Sequence, residues 1–573
     1  MSRCGGRFAP RFVAILAAVA LDVGSTALAT GFPEYARHGM VVSGSAPATN
    51  VGLEVLTQGG NAFDAAVATA FALAVTHPIA GNLAGGGFCV GLAGNEPFAL
   101  DFREVAPAAA TRDLFLDDRG DVIPDRSLRT HAAVGVPGTV DGLLALLDRY
   151  GSLPRDSVLA PAIALARAGH AVTPFTHFAL VEKRGLIEPF PETARTFFPG
   201  GSPLAFGAHL VQEDLARSLE RIARDGRDGF YEGETADLLV AEIARGGGVL
   251  AQGDLSGYRS RWREPIVFAD GSYELITHPP PSSGGITIAQ ILGLLDDPSG
   301  ELAALGFQSA EYVRRLVEAE RLAYADRNHW LGDPDFVDVP VARLLGPDYL
   351  AARRAELPDT GAAGASDRVA AGPAGGEPVD GETTHLVVVD AAGNVVSLTT
   401  TLNTWFGMGA VVPGAGFFLN NEMDDFSAKP GVPNVYGLVG TEANAIGPGK
   451  RMLSSMAPTI VRKNGAFLLA MGSPGGSTII TTVLQVYLNV TRFSMNVRDA
   501  IDAPRFHHQW LPDRIELEPR ALSPDTRSRL SAMGYSLHER TGAIGRVMGV
   551  ERRADGLLAG HADRRSGGSA AGY

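Results

Sequence analysis

The chain has 573 residues, 45% of them apolar and 20% charged, with a net charge of −14. That composition fits a packed globular protein and excludes fibrous and disordered classes. The negative charge, with no long run of Lys and Arg, excludes an electrostatic hold on nucleic acid or an anionic membrane.

By size alone the chain invites about three or four domains. Its start reads as a leader. Arg3, Arg7 and Arg11 flank a short apolar run, Phe12 to Leu21, too short to span a bilayer. Ala27-Leu28-Ala29 places small residues where a signal peptidase reads. Residues 1–29 are therefore expected to be a signal peptide, removed on export to a periplasm or to the outside of the cell. Cys4 leaves with it, and Cys89 then stands alone without an internal disulfide. In the run Gly85-Gly86-Gly87-Phe88-Cys89-Val90 it reads as a buried structural thiol. No other stretch is long and apolar enough for a transmembrane helix.

Helical spacing of apolar residues follows over Asn61 to Val75, Val140 to Tyr150, Val158 to Ala168 and Ala310 to Asn328. Tyr273 to Thr277 is β-like, and Pro279-Pro280-Pro281 breaks the chain after it. From residue 358 to 382 the composition turns to Gly, Ala and Pro, which predicts a flexible linker and the clearest boundary in the sequence. Strands come next. Leu386 to Asp390 and Val395 to Leu402 predict a hairpin closed by Ala391-Ala392-Gly393-Asn394. Met456 to Val461 and Ala466 to Met471 predict a second pair, and Gly475-Gly476 opens a buried helix over Ser477 to Val490.

Motifs for metals and nucleotides are missing: there is no His-Glu-x-x-His, no zinc-spaced cysteine pair and no P-loop. His507 and His508 are adjacent and point apart, so no metal site and no cofactor are expected. The chemical signal is Glu382-Thr383-Thr384-His385, set between the linker and the hairpin. A threonine hydroxyl is a poor nucleophile without a base beside it. If the peptide bond between Glu382 and Thr383 breaks, the freed α-amino group, with a pKa of roughly 7.7–8.0, can take the proton. Pairing Asp390 with Val395 sets Thr401 opposite Thr384, beside Thr383, where a second hydroxyl can orient the first. The same threonines also read as plain β-formers, and the local pattern does not choose between the two.

A wider set of motifs does choose. Asp101-Phe102-Arg103-Glu104, Gly135-Val136-Pro137-Gly138-Thr139, Thr383-Thr384-His385, Thr401-Leu402-Asn403-Thr404 and Asn420 to Phe426 occur in order. Leu453 to Ile460, Gly472-Ser473-Pro474-Gly475-Gly476 and Ala503 to Trp510 continue the series. From about Tyr35 to its end the chain resembles the γ-glutamyltranspeptidase (glutathione hydrolase) family. The resemblance implies an α+β fold, a four-layer αββα sandwich of the N-terminal-nucleophile type. It also implies self-cleavage into a large subunit, 30–382, and a small catalytic subunit, 383–573, which stay together as a heterodimer.

The substrates so implied are glutathione and other γ-glutamyl compounds, with water, amino acids or peptides as acceptors. Thr383 would attack the γ-glutamyl carbonyl, with Thr401 beside it and Gly475 and Gly476 as oxyanion donors. Arg103, Ser454 and Ser455 would hold the donor's α-carboxylate. Asn403, Glu422 and Asp425 would accept from its α-ammonium. Pro430 to Gly437 resembles a loop carried by some relatives, with Tyr436 as a gate across the pocket. Two alternatives compete. One is an acylase on the same scaffold that takes glutaryl or cephalosporin side chains, which has little use for ammonium acceptors. The other is a non-catalytic exported binding protein, which would tolerate loss of Thr383.

Overall fold

The structure, a computed structural model, describes residues 32–297, 300–358, 361–369 and 383–573. The expected signal peptide, the end of the linker and Glu382 lie outside the described residues. The strands that matter here are β1 (Glu34–Ala36), β2 (Met40–Ser43), β3 (Gly86–Ala93), β4 (Glu96–Asp101), β5 (Arg261–Arg263), β6 (Ile266–Asp270) and β7 (Tyr273–Thr277). They continue with β8 (Thr383–Val389), β9 (Val395–Thr401), β10 (Thr459–Lys463), β11 (Ala466–Gly472), β12 (Met548–Arg552), β13 (Leu558–Ala562) and β14 (Ser569–Gly572). These form two seven-stranded sheets, ordered β14-β2-β8-β9-β3-β4-β5 and β1-β13-β12-β11-β10-β7-β6.

Two cores explain why the β8 sequence is apolar almost throughout. Its side chains alternate between faces, and both faces are covered. Val387 and Val389 pack inward, against Ile460, Ala470 and Val550 of the other sheet. Leu386 and Val388 pack outward, against helices α1 (Ala46–Thr57), α2 (Ala62–Thr76), α3 (Thr139–Tyr150) and α4 (Arg155–Ala168). Helices α5 (Gly284–Leu295), α6 (Ala310–Trp330) and α7 (Ile479–Thr491) cover the far side of the second sheet, against Val461, Leu469 and Met471. Each fully buried Val or Leu contributes about 1.5–3 kcal/mol. The layers are helix, sheet, sheet, helix, as the resemblance implies. The separate domains that length alone invites are replaced by cores stacked through this sandwich.

Several expectations shift by small steps. Asn61 caps α2, and does not begin it: its side chain accepts from Phe63 and Asp64 N–H while Asp64 accepts from Asn61 N–H. A short 3₁₀ turn, Gly476–Thr478, precedes α7. Met456 to Pro458 stays outside strand β10. The hairpin register moves by one residue: Val389 pairs with Val395, and Thr383 lies directly opposite Thr401. The cause is Asp390. Its carboxylate accepts from Ala392 and Asn394 N–H, so it builds the turn and leaves the strand.

The expected flexible linker is corrected in part. Residues 361–369 are seated on the body. Ser366 is buried, its Oγ donates to Trp510 O at 2.6 Å and its N–H donates to Asp513 Oδ2 at 2.9 Å. Val369 joins the apolar cluster under α6. Residues 370–382 lie outside the described residues.

Candidate active site

Thr383 is the first residue of β8 and is 4% exposed. Its Oγ1 donates to Thr401 Oγ1 at 3.2 Å. Thr401 Oγ1 also accepts from Asn403 N–H at 2.8 Å, which fixes its place. The two threonines line a small pocket with Arg103, Asn403, Glu422, Asp425, Tyr436, Ser454, Ser455 and Gly476. Of the described residues given a site role from the sequence, Gly475 alone stays outside this lining, directly beside Gly476. Met456 and Ile479 complete the wall and escape sequence reasoning, because an apolar wall residue has no signature of its own. His385 takes no part as a base. It is buried, bonds Thr399 and Ser397, and burial pushes its pKa down to about 3.

Charge organises the pocket. Arg103 leaves the end of β4 and is fully buried. One guanidinium nitrogen meets Glu422 and the other meets Asp425, while Glu104 lies 3.7 Å away. Carbonyls of Met452 and Leu453 accept the remaining bonds, at 3.3 and 3.4 Å. One cation thus faces three buried carboxyl groups. Burial raises the pKa of Glu104 first of all, and Glu422 adds to it. Neither Glu104 oxygen has a hydrogen-bond partner. Burial also pushes Glu422 up to about 7 and raises Asp425, while the surrounding carboxyls hold Arg103 cationic. Sequence reasoning quoted Glu104 within its motif and gave it no role.

Some of the residues expected to bind the donor have partners within the protein. Asn403 adopts a left-handed backbone, φ 78°. Its Oδ1 and its carbonyl both accept from the Tyr436 hydroxyl, the carbonyl at 2.7 Å. Tyr436 is 5% exposed and closes over the pocket. Its loop is tied down twice: Val435 N–H donates to Asp424 Oδ2 at 3.0 Å, and Gln509 Nε2 donates to Tyr436 O at 2.9 Å.

The Tyr436 ring also rests on Gly476. A Cβ at Gly476 would lie 2.6 Å from that ring, and its φ of 57° disfavours any side chain. Gly476→Ala should therefore dislodge the ring as well as disturb the N–H it presents. A loss of about 10²–10³ in kcat is expected if that N–H stabilises the oxyanion. Adding Tyr436→Ala should recover part of the loss by removing the clash. A double variant as slow as the product of the two single losses would show that the ring and the glycine do not compete.

Asp424 offers a pH test. Its other oxygen accepts from Ser127 Oγ at 2.6 Å, and burial pushes its pKa up to about 7. The unfolded chain releases that proton near pH 4, so the folded form binds it more tightly. Between about pH 4 and about pH 7 the folded state holds more protons, and stability falls as pH rises. Asn at this position cannot titrate. Thermal melts of the wild type and Asp424→Asn should therefore diverge from about pH 4 to about pH 7, in favour of the variant, and run parallel above that. A constant difference would count against the buried acid.

A four-layer sandwich that delivers a strand-leading threonine into a polar pocket is the architecture of the N-terminal-nucleophile hydrolases. Sequence comparison narrows the class. The gamma-glutamyltranspeptidase family profile matches residues 48–573. The glutathione hydrolase proenzyme of Escherichia coli strain K12 is 48% identical over 537 residues, covering 93% of this chain and 91% of that one. Among solved structures, cephalosporin acylase from Bacillus halodurans superposes with a TM-score of 0.81 at 28% identity, covering 94% of this chain and 97% of the other. A γ-glutamyltranspeptidase from Helicobacter pylori is 40% identical with a TM-score of 0.54, over 58% of this chain and 93% of the other. The chain belongs to the γ-glutamyltranspeptidase family.

Proposed function

We propose that the protein is a γ-glutamyltransferase that hydrolyses glutathione and related γ-glutamyl compounds after cutting itself before Thr383. One observation carries the reading: Thr383 shares its pocket with a buried Arg103 whose partners are the two carboxyls of Glu422 and Asp425. The α-carbon end of a γ-glutamyl group is a zwitterion. Its carboxylate can replace Glu422 and Asp425 at the Arg103 guanidinium, while its ammonium takes up the carboxyls so released. Each charge in the pocket then keeps a partner, which a buried charge requires.

In the proposed reaction the freed α-amino group of Thr383 takes the proton from Oγ1 as the oxygen attacks the γ-carbonyl carbon. Gly475 and Gly476 supply N–H groups to the oxyanion. The amide C–N bond breaks, its nitrogen leaves with that proton, and an ester joins glutamate to Thr383. Water or an acceptor amine opens the ester and restores the hydroxyl. In this scheme Thr401 orients the nucleophile, Ser454 and Ser455 join Arg103 on the carboxylate, and Asn403 joins the ammonium acceptors once Tyr436 lifts. Export, and the release of a leader at residue 29, belong to the same reading. Among the described residues no helix is long and apolar enough to cross a membrane.

The test compares two amides with the same leaving group, one γ-glutamyl and one glutaryl. The glutaryl chain has the same length and lacks the ammonium. Processed enzyme should release glutamate and leave the glutaryl amide nearly untouched. Comparable rates on both would favour the acylase alternative, and no release from either would favour a binding protein.

A further inference from the structure

Helix α6 carries a cation that the proposed chemistry does not use. Arg327 is 4% exposed and lies one turn beyond Tyr324. Its Nε donates to Ser283 Oγ at 3.0 Å. One terminal nitrogen donates to Asn328 Oδ1 at 2.9 Å, and the other to Ser455 Oγ at 3.0 Å. All three acceptors are neutral. Among the described residues no carboxylate forms an ion pair with it. Burial lowers its pKa to about 10, and the group remains charged at neutral pH. Asp425, which Arg103 already holds, is the carboxylate that bears on it electrostatically.

The hydrogen bonds give the two serines a direction. A guanidinium has donors only, so each serine oxygen accepts from it and must point its own hydrogen elsewhere. Ser283 sends its hydrogen to Ser454 O at 2.6 Å, which fixes the backbone beside Ser455. Ser455 lines the pocket of Thr383. Glu422 and Asp425 engage Arg103, so Arg327 brings a second cation to the same wall through Ser455. Arg327 also lines a small cavity with Asp425 and Leu453, behind the same wall.

We propose that Arg327 is a positioning residue for the anionic end of the donor: through Ser455 it turns a hydroxyl toward the α-carboxylate. The proposal rests on the γ-glutamyl reading of the pocket. It makes Ser455 a one-way donor, with its hydrogen free for a carboxylate in the pocket.

Kinetics of the processed enzyme on a γ-glutamyl anilide, and on the same anilide with its α-carboxylate converted to a carboxamide, test it. Arg327→Gln should raise KM for the acid about tenfold with kcat within about twofold, and leave the carboxamide's KM within about twofold. In a Ser455→Ala background, Arg327→Gln should add less than about twofold, because its path is already cut. Arg327→Lys keeps the charge without the planar fork and should recover part of the loss. Equal losses on both donors, or the full tenfold rise in the Ser455→Ala background, would overturn the proposal. If Arg327→Gln does not fold and self-cleave, as read by intact mass, Arg327→Lys carries the comparison and the same two results decide. An unaltered enzyme that treats acid and carboxamide alike would sink the reading of the pocket, and the proposal with it. One that prefers the acid, with Arg327→Gln preferring it equally, would sink the role of Arg327 alone.

Discussion

Thr383→Ala should leave one uncut chain and no measurable turnover. The wild type should give two fragments that meet between Glu382 and Thr383, seen by intact mass. Both losses follow from one atom. Thr383 Oγ1 is the group held by Thr401 in the pocket, and alanine has nothing to attack either the preceding peptide or a donor. Loss of a nucleophile typically costs about 10⁴ or more in rate. Thr383→Ser keeps a hydroxyl and should restore cleavage and part of the activity. An uncut wild type, or a cleaved alanine variant, would remove the basis for the proposed mechanism.

The second large effect is expected at Arg103. Arg103→Ala removes the cation from a fully buried cluster and leaves Glu104, Glu422 and Asp425 facing one another. Removing one partner of a buried ion pair costs about 3–5 kcal/mol, because the other charges stay behind. Donor kcat/KM should fall by roughly 10²–10³, and the melting temperature should fall as well. Arg103→Lys restores the charge without the bidentate fork and should lie between. The extent of self-cleavage, read by intact mass, separates a weakened fold from a weakened grip on the donor. Donor kinetics unchanged in both variants would end the assignment of Arg103.

Both effects trace to residues visible in the sequence, and the reason is local. The β8 apolar run, the turn after it and the position of Thr383 at its start are short-range patterns, so the hairpin and the place of Thr383 were legible together, while the proposed role of Thr383 came only with the wider set of motifs. The register was not, because Asp390 reads as the last strand residue until its carboxylate is seen closing the turn. Longer-range relations were invisible to pattern. Arg103 and Glu422 lie 319 positions apart and meet head-on. The Asn403 side chain was expected to await an ammonium group, yet it receives the Tyr436 hydroxyl. Ser366 sits in a stretch whose composition promises nothing to bury, and it finds a seat against Trp510. Arg327 did leave a trace. It follows Tyr324 by three positions, on the same buried face of α6 as Ala323, where a charge is out of place.

The strand order of the first sheet carries a last consequence. Read across it, β14, β8 and β9 come from the chain after residue 383, while β2, β3, β4 and β5 come from the chain before it. β2 is flanked on both sides by later strands, and Tyr573 O accepts from the N–H groups of Arg37 and His38. The two pieces are woven through one another like the teeth of a closed zipper. A cut before Thr383 would divide the polypeptide without dividing the fold. Dilution should therefore never separate the pieces, and they should melt in one transition. Fragments produced apart would have no finished surface on which to find each other, so the order of events is forced: fold whole, then cut.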